Sequence, residues 1–135
     1  MKAFIATLAI ALAMLGGVTA AAAADMKDRV SIEVSSVGLH PGMDPGMYVC
    51  ALHHLHIKAT VQNLAGVPVG QVKVAGKAFD SSGRLLGTAT SSTKETVIKP
   101  NEKAEVNLEF LSVIGPRIQQ VKSQELTVIE APARQ

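Results

Sequence analysis

The run Lys103-Ala104-Glu105-Val106-Asn107-Leu108-Glu109-Phe110 alternates polar and apolar side chains without a break. Successive side chains of an extended strand point to opposite faces, so the run puts Ala104, Val106, Leu108 and Phe110 on one side and four polar residues on the other. A helix would scatter those apolar residues around its circumference. The pattern recurs. Val30 to Val37 alternates in the same way and is rich in β-branched residues. A second strand is expected from about Val49 to Gln62, with Leu55, Ile57, Ala59 and Val61 inward and His54, His56, Lys58, Thr60 and Gln62 outward.

Turn-forming residues separate these runs. Gly38 to Gly46 carries two Pro and three Gly, and Asn63 to Gly70 holds Gly66, Pro68 and Gly70, so both read as loops. Gln71 to Asp80 resumes as a strand, with a bulge expected at Gly76 that lets Val72, Val74 and Phe79 all face the core. Asp80-Ser81-Ser82-Gly83 is a tight turn. Short strands are expected at Arg84 to Thr90 and Thr93 to Ile98, a second turn at Lys99 to Glu102, and a closing strand at Glu125 to Glu130. Arg117 to Lys122 is open between helix and strand. About seven short strands and no amphipathic helix predict an all-β fold, an antiparallel two-sheet sandwich.

Ahead of this domain, Lys2, the apolar run Ala3 to Leu15, a Gly16-Gly17 break and a train of small residues have the three parts of a secretory signal peptide. The apolar core is shorter than the ~20 residues a spanning helix needs. The expected division is a signal peptide at 1–24, cleaved near Ala24, and a β-sandwich domain at 25–135 with no membrane span after removal. The expected location is the bacterial periplasm, or the secreted fraction. Cys50 stands alone in the sequence, so no internal disulfide is available and the core must stabilise the domain. Oligomeric state is not encoded in these features.

The net charge of +2 leaves no basic footprint for nucleic acid, and one Tyr, three Phe and no Trp leave few aromatic faces for stacking on bases or sugars.

Val61-Gln62-Asn63, then Lys77 to Gly87 with its Phe79-Asp80-Ser81-Ser82-Gly83 hairpin, then Ile98-Lys99-Pro100-Asn101-Glu102 and Phe110 resemble the FxLYD-type domains of exported bacterial proteins. Asn101 stands at the position of that family's usual Gly. The resemblance spans Leu55 to Phe110 and implies an immunoglobulin-like sandwich that serves as a binding or accessory module, with no catalytic residues.

One stretch is chemically unusual. His40 to His56 contains all four His, the single Cys, and Met43 and Met47. Imidazole, thiolate and thioether select soft or borderline metals, and His54 and His56, two apart on a strand, project from one face ~7 Å apart. The candidate ligands are His40, Met43, Met47, Cys50, His54 and His56, with copper as the ion. The other reading is a structural loop with surface histidines, Met43 and Met47 plugging the end of the sandwich and His53 facing inward.

Enzyme readings fail on context. Ser91-Ser92-Thr93-Lys94 fits a Ser-x-x-Lys nucleophile motif but falls in a hairpin and lacks its partner motifs. Glu105 and Glu109 sit on the outward face of their strand as a solvated charged pair. The expectation is an exported, non-enzymatic binding module of the cell envelope, without a cofactor, whose partner is another envelope protein. The alternative is a small periplasmic copper carrier or sensor.

Overall fold

Alternation demands sheets with one dry face, and the computed structural model, which describes residues 24–39 and 53–134, supplies two. Among the described residues the strands are β1 (Val30–Leu39), β2 (His54–Asn63), β3 (Lys73–Phe79), β4 (Leu85–Ser92), β5 (Lys103–Ile114) and β6 (Ser123–Glu130). A 3-10 turn at Lys27–Arg29 precedes β1, and a single helical turn, α1 (Arg117–Gln120), precedes β6. One sheet has the order β1-β2-β5 and the other β4-β3-β6, every pair antiparallel. The protein is therefore an all-β two-sheet sandwich. No described helix is long and apolar enough to cross a membrane. The expected leader, residues 1–24, lies outside the described residues apart from Ala24.

The dry layer is the one the alternation specifies. Leu55, Ile57, Ala59 and Val61 of β2 and Ala104, Val106, Leu108 and Phe110 of β5 are buried, and Val74 and Ala78 of β3 and Val128 of β6 meet them from the other sheet. Burial of apolar surface is the main term favouring this arrangement. β5 runs past its expected end at Phe110 to Ile114. It bulges over Leu111–Val113, so that Leu55 pairs with Phe110 while His54 pairs with Ile114. The bulge swings the end of β5 against β4, where a Cβ on Gly87 would come within 2.6 Å of Ser112 Oγ and Val113 Cγ2.

Three turns follow from local chemistry. Asp80 Oδ1 accepts hydrogen bonds from the Ser82 and Arg84 backbone N–H groups and the Ser82 hydroxyl. The Ser82 hydroxyl and the Arg84 N–H, with the Arg84 guanidinium beside them, lower the carboxyl pKa to about 2. At Lys99-Pro100-Asn101-Glu102, Pro100 sets the second position and Asn101 takes φ 70°, the left-handed conformation that Asn tolerates in place of Gly. Glu102 N–H closes that turn on the Lys99 carbonyl at 2.9 Å. Asn63 is buried and holds the next loop: its Nδ2 donates to the Val67 and Ile98 carbonyls at 2.9 Å, and its Oδ1 accepts from Ala65 N–H at 2.8 Å.

The structure corrects three local expectations. No bulge forms at Gly76, which faces inward in regular register with Ala89 and Leu126. Phe110 Cζ would lie 3.1 Å from any Cβ there, so the glycine makes room for the ring, and Ala78 rather than half-buried Phe79 follows it into the core. Thr93–Ile98 is not a strand. Buried Thr93 accepts from Val72 N–H and donates to the Glu95 carbonyl, which turns the chain outward, and Ile98 returns only as an isolated bridge to Val69. That loss accounts for six described strands against about seven expected. Within Arg117 to Lys122, residues 117–120 form the helical turn.

Candidate functional site

An outward face of a sandwich sheet is ordinarily solvated, and that of β4-β3-β6 carries exposed Lys73, Lys77, Thr88 and Glu125. The outward face of β1-β2-β5 differs. Strand periodicity places His54 and His56 of β2 on it, as expected, their ring centroids 5.6 Å apart and their planes tilted by 39°. Register then does what periodicity cannot. β5 pairs with β2 so that Glu109 stands directly opposite His56 and Asn107 opposite Lys58.

The resulting geometry is close. Glu109 Oε2 lies 3.3 Å from His56 Nε2 and 4.0 Å from His54 Nδ1. One ligand atom from each of the three residues falls within 4.8 Å of the other two. On the other side of the ring, His56 Nδ1 lies 3.2 Å from Asn107 Oδ1. An amide oxygen only accepts, so a hydrogen bond between them is donated by Nδ1–H, and the ring then turns its other nitrogen, Nε2, toward the Glu109 carboxylate. Both imidazoles are largely covered, their side chains 15% and 7% exposed, while Glu109 remains 46% exposed. The cluster thus joins two covered imidazoles to a carboxylate that is open to solvent.

Of the six ligands read from the sequence, the structure brings His54 and His56 together. His40, Met43, Met47 and Cys50 lie outside the described residues. Glu109 and Asn107 were not among the candidates. Their strand was legible, but the strand that would flank them was not, and no local signal ties residue 109 to residue 56. Glu105, grouped with Glu109 on the sequence, is 61% exposed and stands 4.0 Å from Lys58 Nζ, an ordinary surface pair.

Comparison with family models, curated proteins and solved structures finds no match to this chain.

Proposed function

We propose that this chain is an exported, non-enzymatic β-sandwich module of FxLYD type that works in the bacterial cell envelope by binding another envelope protein. The leader-like residues 1–24 support export, and the Asn63 and Asp80 turns support the family assignment, since both residues belong to the resemblance and both hold their loops by side-chain hydrogen bonds. The observation that carries the binding reading is β1. Among the described residues it is an edge strand, and Val34, Val37 and Leu39 stand 39–49% exposed along it, although their partners Ala59, Ile57 and Leu55 are buried. A half-covered apolar edge is a template for an added strand, so the partner offers an extended segment with apolar residues at alternate positions.

A photo-crosslinking residue placed at Val37 in cells should give one dominant adduct with an envelope protein, and the same residue at Thr90, on the outward face of β4, should give none. Equal yields from the two positions, or no adduct at Val37, would reject the edge-strand reading.

A second reading, a small copper carrier or sensor, is supported by a separate observation, the convergence of His54 and His56 with an acidic residue.

A further inference from the structure

We propose that His54 Nδ1, His56 Nε2 and the Glu109 carboxylate form a three-ligand site for a borderline divalent transition-metal ion such as Zn(II), with Asn107 as the positioning residue for His56. This inference rests on the metal-carrier reading and narrows it in two ways. It narrows the expected set of three His, two Met and one Cys to a set built across two strands, and it moves the ion from copper in general to a borderline divalent one.

Ligand chemistry comes first. Two imidazole nitrogens and one carboxylate oxygen suit zinc(II) and copper(II), whereas Cu(I) is selected by thiolate and thioether. Spacing comes second. Ligands bound at ~2.0–2.2 Å in tetrahedral geometry sit ~3.3–3.6 Å apart. The His56–Glu109 separation of 3.3 Å already matches, the 4.0 Å from His54 Nδ1 to Glu109 is slightly long, and with all three ligand atoms within 4.8 Å of one another the set closes on an ion by side-chain rotations of Glu109 and His54.

Support around the ligands comes third. A metal-bound histidine ordinarily donates its other ring N–H to an oxygen, which fixes the ring and the tautomer. Asn107 Oδ1 is placed for that bond at 3.2 Å. His56 is further fixed by its position on the central strand of its sheet, paired on both sides. Three ligands among the described residues, one of them on a half-exposed carboxylate, suit an ion that is loaded and released rather than one that holds a fold together. The core lies on the opposite side of β2, so the sandwich does not need the ion in order to fold.

The test is a Zn(II) titration of the purified chain against a chromophoric chelator, with Co(II) substitution as a spectroscopic reading of coordination and Cu(I) as a separate arm. Wild type should take up one Zn(II) per chain. His54→Gln with His56→Gln should abolish uptake, Glu109→Gln should weaken it at least tenfold, and Cys50→Ser should leave it within about twofold. Asn107→Ala should weaken binding by about 10–100-fold, and Asn107→Asp, which keeps an acceptor for the His56 N–H, should restore it. Equal melting temperatures of the metal-free variants exclude misfolding as the cause.

Stoichiometric uptake that survives Glu109→Gln but is lost in Cys50→Ser, or uptake of Cu(I) alone, would overturn this site while leaving the metal-carrier reading intact. No uptake of any of the three ions would end both.

Discussion

Seen from solvent, the β4-β3-β6 sheet offers lysines, threonines and Glu125, spaced as on many soluble sheets, whereas the β1-β2-β5 sheet offers His54, His56, Asn107 and Glu109 in contact. Their inner faces show no such contrast, because both are apolar and share one core. The difference teaches where selection for stability stops. A residue pointing inward answers to packing, and its chemistry is nearly dictated. An outward residue on a central strand is free of that demand, so two covered imidazoles facing a carboxylate call for a reason other than the fold.

The sharpest way to break this contrast is to mutate both sides of β2. Ile57→Ala, which empties a fully buried position, should cost about 2–5 kcal/mol of unfolding free energy in urea melts. His56→Gln, on the adjacent residue but the opposite face, should cost about 1 kcal/mol, since it loses polar contacts such as those with Asn107 and Glu109 without emptying the core. A His56→Gln loss as large as that of Ile57→Ala would make the cluster a structural device and erase the distinction between the two faces.

A smaller effect is expected where the two sheets meet. Gly87→Ala drives a methyl into Ser112 and Val113 and should cost about 1–3 kcal/mol, without changing metal uptake. Should uptake fall as well, the bulged end of β5 would be part of the site.

Acid gives a third handle, confined to the β3-β4 hairpin. The folded-state pKa of Asp80 is about 2, below the ordinary 3.8, so its ionised form stabilises the fold fully above pH 3.8, and that contribution is lost as pH falls from there toward about 2. The stability gap between wild type and Asp80→Asn should therefore be constant at neutral pH and shrink across that window in acid melts. A constant gap down to pH 2 would show that the hydrogen bonds, not the charge, carry the effect.

The smallest change is expected at Lys58–Glu105, on the same outward face as the cluster but largely exposed. Lys58→Ala should shift stability by no more than about 0.5 kcal/mol, less in high salt. An effect several times larger would mean that the whole face, not only its histidine end, is coupled.

Legibility in the sequence followed the range of the interaction. The faces of β2 and β5 were readable residue by residue, because a side chain's face depends only on its neighbours along the strand. The Asp80 turn was readable for the same reason, since its partners lie within four residues. The supposed strand at Thr93–Ile98 misled because Thr93 makes side-chain bonds to Val72 and Glu95 that propensity does not register. Gly76 misled because its partner is Phe110, far along the chain. The sequence put His54 and His56 on one face, because they lie two apart on a strand, and gave no sign of Glu109, which joins them only in space.

What the sequence determined by itself is a chain of short strands with an oily and a watery side, divided by turns whose residues carry their own conformational preferences. Tertiary structure alone decided which strands lie side by side and at what offset. His56 and Asn107 are separated by 51 positions, and they meet because the pairing of β2 with β5 is set by how the two inner faces pack. A shift by one residue would turn every apolar side chain of β5 to solvent, so the packing that fixes the core also fixes the carboxylate beside the imidazoles.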